Sequence, residues 1–254
     1  MKRSILGLVV SMSVFCLAAA TRADQVVLKE GSQYRPGQYY YGTTDTWMDY
    51  DNPTTNDGSS GYMYVNMDNE VSRKRGLIKF DLAGILPPNA IVQSATLSMY
   101  LWGLEDMGSG DWVDVGVYDV GNWRDWVETQ ATWNVFKGAT YWSQAGCENA
   151  PWDRDADYRS TRYFDRNSAT GIYYDWDVTA SLQEWVSGQG TNNGLLLRGW
   201  RHDNVASEGI LLGTRNASLG VRPRLTINYI PEPTTIFLLL VGGMAAGMGY
   251  RRPR

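Results

Sequence analysis

The sequence predicts an all-β fold, a single jelly-roll-type β-sandwich over residues 24–230 that carries one or two short helices. Short runs of alternating or apolar residues recur along the chain and are separated by Gly, Asn, Asp and Pro, which is the pattern of strands joined by turns. Helical periodicity is scarce. The stretch shows no internal repeat and no linker to a second domain, and its length is typical of one sandwich.

The strand predictions follow these runs along the chain. Alternation is clearest over residues 224–229, where Leu225, Ile227 and Tyr229 share one face of the strand. The predicted strands lie near 26–29, 38–41, 45–49, 62–66, 75–81, 91–102, 113–119, 161–165, 171–177, 194–200, 208–213 and 223–229. The side chains expected in the core are Leu77, Phe80, Leu97, Leu101, Val115, Val117, Leu195, Leu197, Leu225 and Ile227.

Two short helices interrupt the strands in this prediction. The first covers 179–187, with Thr179 or Ser181 as its N-cap and Leu182, Trp185 and Val186 on one face. The second lies around 123–129.

Residues 1–23 have the pattern of a secretory signal peptide. Lys2 and Arg3 precede an apolar stretch that runs from Ile5 to Ala20, and small residues follow at the expected cleavage region. An uncleaved membrane anchor is the alternative. Either interpretation places the following domain outside the cytoplasm.

The C-terminal segment, 231–254, has three parts. Pro231, Glu232 and Pro233 precede an apolar stretch over 234–250, and three arginines lie among the last four residues. As a helix the apolar stretch spans about 25 Å, enough for a thin bilayer, and the arginines would stay cytoplasmic. An ordinary membrane anchor is the alternative interpretation.

This tail resembles the PEP-CTERM sorting signal of Gram-negative bacteria. The resemblance implies cleavage near Pro231–Pro233 by an exosortase-type processing enzyme, after a transient stay in the inner membrane. It also implies export to the cell surface or to the extracellular matrix of a bacterium that makes exopolysaccharide.

Composition excludes several functions. Residues 24–230 hold 17 Lys and Arg against 26 Asp and Glu, a net charge of −9, which argues against nucleic acid as a partner. His202 is the one histidine, and Cys147 is the one cysteine outside the signal segment, so His-rich and Cys-rich metal sites are excluded. Cys147 is either a buried apolar side chain or a thiol for an intermolecular bond.

Five groups of segments resemble, in the same order, the DNRLRE-type domain, which is related to the disaggregatase repeat and to certain alginate-binding carbohydrate-binding modules. This resemblance implies a secreted, non-catalytic β-sandwich that associates with carbohydrate. Residues 134–165 fit none of the family's motifs. The segments are Asp45–Asp49 with Asn56–Ser60, Leu77–Leu82 with Pro87–Leu97, Trp126–Glu128 with Ala131–Asn134, Asp177–Thr179 with Trp185 and Asn192–Leu197, and Arg222–Leu225.

The aromatic residues supply the candidate carbohydrate-binding site. The chain has 11 Trp and 16 Tyr but only 5 Phe, and rings with a polar group suit half-exposed surfaces that stack on sugars. Tryptophans in polar, loop-like stretches are the predicted ligand contacts: Trp112, Trp142, Trp152 and Trp200. Those within the family-like motifs are expected to be core or scaffold: Trp123, Trp126, Trp133 and Trp185.

One acidic cluster has the ligand chemistry of calcium. Asp45, Asp49, Asp51 and Asp57 supply hard oxygens near irregular loops, although the EF-hand spacing is missing. Solvated turns built on these side chains are the alternative. The sequence indicates no required cofactor. A structural Ca²⁺ is the one ion for which it offers candidate ligands.

The sequence therefore predicts a non-catalytic exported protein that binds or associates with exopolysaccharide. A serine-protease-like triad could use only His202, and no nucleophile motif accompanies it. The acidic residues leave paired-carboxylate chemistry open, so a secreted polysaccharide lyase or glycoside hydrolase is one alternative. A purely structural adhesive subunit is the other.

Overall fold

The computed structural model describes residues 22–66, 73–200 and 208–231. It is dominated by antiparallel strands, with one α-helix, α1 (Thr179–Ser187), and a 3₁₀ turn at Leu219–Val221. The strands in chain order are β1 (Asp24–Lys29), β2 (Gln33–Arg35), β3 (Gln38–Tyr39), β4 (Thr43–Asp49), β5 (Tyr62–Asn66), β6 (Lys74–Phe80), β7 (Ile91–Glu105), β8 (Trp112–Asp119), β9 (Val135–Lys137), β10 (Thr140–Tyr141), β11 (Ser160–Asp165), β12 (Ile172–Asp177), β13 (Leu195–Trp200), β14 (Gly209–Gly213) and β15 (Arg224–Ile230).

Two sheets form the sandwich. Sheet I has the order β1-β15-β7-β14-β5, and β12 pairs with the other edge of β7. Sheet II has the order β11-β8-β13-β6-β4. The long strand β7 organises sheet I, because its first half pairs with β15 and its second half pairs with β14. The prediction of an all-β sandwich is confirmed.

The main core lies between the two sheets. Leu97, Leu101 and Ile227 from sheet I and Val115 and Leu197 from sheet II are all buried in one cluster. Every side chain predicted for the core is buried. The alternation in β15 is also confirmed, since Leu225, Ile227 and Tyr229 are buried while their neighbours are partly exposed.

A second apolar cluster lies on the outer face of sheet II. The chain from Val120 to Arg154, here called the cover segment, is closed by a β-bridge between its two ends. Its side chains Trp126, Trp133 and Phe136 pack on Leu77 and Leu196 of the sheet. Part of sheet II is therefore buried on both faces, which explains why Leu195, Leu196 and Leu197 are all buried in succession.

The helix prediction over 179–187 is confirmed, but its predicted cap is wrong. Val178 occupies the N-cap without a side-chain hydrogen bond. The Thr179 hydroxyl instead donates to Asp177 Oδ1 at 2.6 Å and accepts the Ala95 N–H at 2.9 Å, which ties the helix start to β7. Ser181 is buried.

The second predicted helix, around 123–129, is wrong. The Trp126 N–H bonds to the Arg124 carbonyl and the Val127 N–H to the Phe136 carbonyl, so these residues form turns against β9. The Trp126 indole N–H reaches the Asn193 carbonyl at 2.7 Å. Tertiary contacts of the ring thus decide the local conformation.

The predicted signal peptide and the predicted membrane-spanning tail both lie outside the described residues, apart from their innermost ends. Within the described ranges, no helix combines the length and apolar character needed to cross a membrane. The last strand, β15, ends at Ile230, directly before Pro231.

Candidate functional site

The four tryptophans predicted to contact sugar lie in three different environments. Trp142 is only 4% exposed; it packs against Phe136, and its indole N–H donates to the Thr132 carbonyl at 3.0 Å. The expectation that Trp142 is exposed is therefore wrong, because its ring faces the inner side of the cover segment although the residues on either side of it are exposed. Trp152 is exposed, while Trp112 and Trp200 are half-buried on the outer face of sheet II.

The tryptophans that were expected to be core or scaffold also differ in their exposure. Trp126 and Trp133 are buried in the cluster under the cover segment, and Trp185 is partly buried against the main core. Trp123 is exposed, contrary to the prediction, because the turn at this point aims its side chain away from sheet II.

The outer face of sheet I carries a row of aromatic rings that the sequence analysis did not single out. Tyr62 and Tyr64 on β5 contact each other at 5.3 Å between ring centroids. On β7, Tyr100 contacts Trp102 at 5.5 Å and Tyr173 of β12 at 5.4 Å. We call these five residues the sheet I row.

Strand alternation builds this row. In β5, Met63 and Val65 are buried, so Tyr62 and Tyr64 point outwards. In β7, Met99 and Leu101 are buried, so Tyr100 and Trp102 take the outer face. The signal was present in the sequence as alternating Tyr and apolar residues over 62–65, but the pairing that aligns β5, β7 and β12 depends on contacts distant in sequence.

A shallow groove joins the two halves of the row. Its volume is about 470 Å³, and Tyr62, Trp102 and Leu211 are among the residues that line it. Tyr62 is 44% exposed and Trp102 is 48% exposed. Gly213, directly opposite Tyr62 on β14, lets the indole lie close, because a Cβ there would stand 3.2 Å from Trp102 Nε1. Two large rings thus flank one open depression.

Charged side chains hold both ends of the row. The Arg224 guanidinium lies 4.1 Å from the Tyr173 ring centroid, and the Lys74 ammonium lies 4.8 Å from that of Tyr64. The Tyr173 hydroxyl donates towards the carbonyls of Gly220 and Arg222, each 2.9 Å away. Burial raises the pKa of Tyr173, although Arg224 opposes that shift. These contacts fix the rings before any ligand arrives.

The acidic residues proposed for calcium do not form one group. Asp45 is buried and accepts the Arg215 backbone N–H at 2.7 Å, whereas Asp49 accepts hydrogen bonds from Asp51 and Asn52. Burial, and next the nearby Asp49 carboxylate, raise the pKa of Asp57. In the described part of the chain, no three His, Cys, Asp or Glu side chains are placed to hold a metal ion. Calcium binding stays a prediction.

Carboxylates that approach each other are linked through arginine. Arg215 bonds to both carboxylate oxygens of Glu128, and Glu128 also accepts the Asp45 N–H at 2.9 Å. Arg159 similarly contacts Asp119 at 2.5 Å and Glu184 at 2.8 Å. These arrangements suit structural ion pairing. His202, the one candidate for a triad base, lies outside the described residues.

Cys147 is a free, buried cysteine, which agrees with the apolar interpretation of this residue. Burial raises its thiol pKa. The thiol lies under the cover segment and contacts the Asp153 carbonyl at 3.2 Å. Its position does not suit an intermolecular disulfide.

The architecture defines the class of protein: a two-sheet antiparallel β-sandwich with a row of partly exposed aromatic rings across an open sheet face. The profile of the disaggregatase related repeat domain matches residues 49–208, more than half of the chain, and the chain belongs to this family. No curated protein matches it in a sequence search. The match covers every residue of the sheet I row, while three strands of sheet I, namely β1, β14 and β15, lie outside it.

Proposed function

We propose that this jelly-roll-type domain is a non-catalytic, exported polysaccharide-binding module, and that the sheet I row is its binding surface. The observation that carries the proposal is the row of rings in which Tyr100 contacts both Trp102 and Tyr173, while Tyr62 and Trp102 line the same groove. Flat aromatic side chains offer large contact areas to the C–H faces of sugar rings at a low cost in conformational entropy.

The shape of the surface favours a chain over a small molecule. A row that crosses β5, β14, β7 and β12 spans three strand spacings, about 14 Å. Its groove is shallow, whereas sites for small ligands are deep and enclose most of the ligand. A polysaccharide could therefore lie across the strands and contact several rings.

The expected affinity is weak. Each stacking contact contributes about 0.5–1.5 kcal/mol, and association costs offset much of the sum. We expect a Kd of about 10⁻⁴ to 10⁻³ M for a single surface. Display of many copies at a cell surface would then supply useful retention.

The decisive experiment changes the two most exposed rings of the groove. Tyr62→Ala with Trp102→Ala should weaken binding to the native host's exopolysaccharide by about tenfold or more, measured by affinity electrophoresis and by glycan array with and without calcium. Trp123→Ala is the matched control, since this ring is exposed and belongs to neither the row nor its groove. Unchanged binding by the folded double variant would refute the site.

Trp152 is changed in a separate variant, because it is the most exposed of the four tryptophans predicted to contact sugar, with 58% of its surface accessible. If Trp152→Ala weakens binding and the change at Tyr62 and Trp102 does not, the surface lies on the cover segment. A glycan array reports both results in one measurement.

The alternative of a polysaccharide lyase or hydrolase predicts a chemical product. The purified protein would release unsaturated or reducing ends from exopolysaccharide, and a binding module would not. The arginine-linked carboxylates around Glu128 and Arg159 support the non-catalytic function. A structural adhesive subunit would bind no polysaccharide at all.

We further propose that export uses the two terminal segments. The signal-peptide pattern and the PEP-CTERM-like tail would take the domain across the inner membrane, and an exosortase-type enzyme would release it near Pro231–Pro233. Partners of the mature protein are then exopolysaccharide chains in the surrounding matrix.

A further inference from the structure

A second set of aromatic rings lies on the outer face of sheet II. Trp112 and Tyr163 stack with their centroids 5.6 Å apart and their planes at 26°. Tyr158 and Trp200 stack at 5.2 Å and 20°. We call these four residues the sheet II platform.

Two of the platform rings come from the strands on either side of β8. Tyr163 on β11 and Trp200 on β13 are both directly opposite Asp114 on β8, so their backbone positions are about 10 Å apart, two strand spacings. The Trp200 ring lies over Gly116 of β8, where a Cβ would stand 2.5 Å from the ring.

Within the described part of the chain, the cover segment leaves the outer ring of each stack accessible, while Trp200 packs against the apolar cluster beneath the segment. The cover segment packs on the part of sheet II that holds Met48, Leu77 and Leu196. Tyr163 is 55% exposed and Tyr158 is 48% exposed, and each is the more exposed ring of its stack. The platform thus presents two flat, partly exposed rings on the outer face of sheet II.

The sheet I row and the sheet II platform face in opposite directions. Each lies on the outer side of its own sheet, and the main core fills the space between the sheets. Packed sheets are about 10 Å apart before the outer side chains are added. One chain could contact both surfaces only by bending around an edge of the sandwich, whereas two separate chains could each lie flat.

We propose that the sheet II platform is a second polysaccharide-binding site, and that one domain joins two chains of the same polysaccharide. This inference rests on the proposed function. The partner follows from chemistry common to both surfaces, namely Trp and Tyr rings in contact with each other on the outer face of a sheet. A bridging module would add cross-links to a matrix, a role that a single binding surface cannot perform.

The test uses the full chain in mild detergent, with exopolysaccharide from the native host and short oligosaccharides prepared from it by partial hydrolysis. The sheet II variant carries Tyr158→Ala and Tyr163→Ala, and the sheet I variant carries Tyr62→Ala and Trp102→Ala. Calorimetry with the oligosaccharide should give two sites per chain for the unchanged protein and one for each variant. The unchanged protein should raise the turbidity or viscosity of a solution of the soluble polymer. With each variant, that rise should be at least tenfold smaller.

Four further results make the outcome decisive. A variant with Tyr158→Phe and Tyr163→Phe keeps the rings and should keep both sites, which separates ring loss from a change in fold. One site per chain, with the sheet II variant equal to the unchanged protein, overturns the bridging inference and leaves the sheet I site standing. No binding by any form overturns the proposed function itself. Cross-linking that survives in both variants also refutes the inference, since it would arise from association between chains.

Discussion

At the scale of single residues, Asp45 shows how burial can set the response of the fold to pH. The side chain is 1% exposed; Oδ2 accepts the Arg215 N–H, and Oδ1 has no hydrogen-bond partner among the described residues. Burial raises the pKa of Asp45 to about 8, and the Glu128 and Glu30 carboxylates add to the shift, while the Arg215 bond opposes it. The folded protein therefore holds a proton here that the unfolded chain releases near pH 4.

This proton makes the free energy of unfolding fall as pH rises. Between about pH 4 and pH 8 the folded state binds more protons at Asp45 than the unfolded state does, so this group lowers stability by about 1.4 kcal/mol per pH unit. Asp45→Asn removes that titration. Urea unfolding at pH 5 and pH 7.5 should show the variant gaining stability relative to the unchanged protein as pH rises. Parallel pH profiles for the two proteins would contradict the assigned protonation.

At the scale of elements, the cover segment depends on one buried carboxylate. Asp153 is fully buried and accepts hydrogen bonds from Arg124 Nε at 2.7 Å and from the backbone N–H groups of Ser143, Gln144 and Asn149 at 2.8, 2.9 and 3.3 Å. It therefore links three turns of a segment that has little regular secondary structure. The apolar cluster beneath can form only when these turns are in place.

Asp153→Ala should destabilise the protein by about 3–5 kcal/mol, because it leaves the Arg124 charge and several N–H groups without their partner. Asp125→Ala is the matched control, since Asp125 forms an ion pair with Lys137 at the surface and should cost at most about 1 kcal/mol. Urea denaturation measures both. Similar losses for the two variants would show that Asp153 does not organise the segment.

The elements also show how far the sequence determines the result. Alternation predicts β15 and β7 well, because one face of each strand is buried and the period of two is visible locally. The structure of the cover segment could not be predicted from the sequence. Its turns depend on contacts with sheet II, and its apolar residues show no regular spacing. The prediction that Trp142 is exposed is wrong for the same reason, since its neighbours in the sequence are polar but its ring faces inwards. The sheet I row needs the register of four strands, β5, β14, β7 and β12, which no local pattern contains.

At the scale of the whole molecule, the proposed sorting motif directly follows the last strand of the domain in the sequence. β15 pairs with β1 and β7 up to Ile230, and the Pro-Glu-Pro motif begins at the next residue. Cleavage there would leave in place all the described residues that pair in sheet I. Since Pro cannot donate a ladder hydrogen bond, Pro231 also suits the end of the strand.

We therefore expect the mature protein from its native host to lack residues 1–23 and to end near Pro231–Pro233. Its thermal unfolding midpoint should match that of the full chain in the same detergent, because the cut lies outside the paired strands. Intact-mass measurement decides the first point and calorimetry the second. A mass that retains Arg251–Arg254 would make the tail a permanent membrane anchor, and the two aromatic surfaces would then act at the membrane instead of in a released matrix protein. A released protein with a much lower midpoint would mean that the tail contributes to the fold beyond β15.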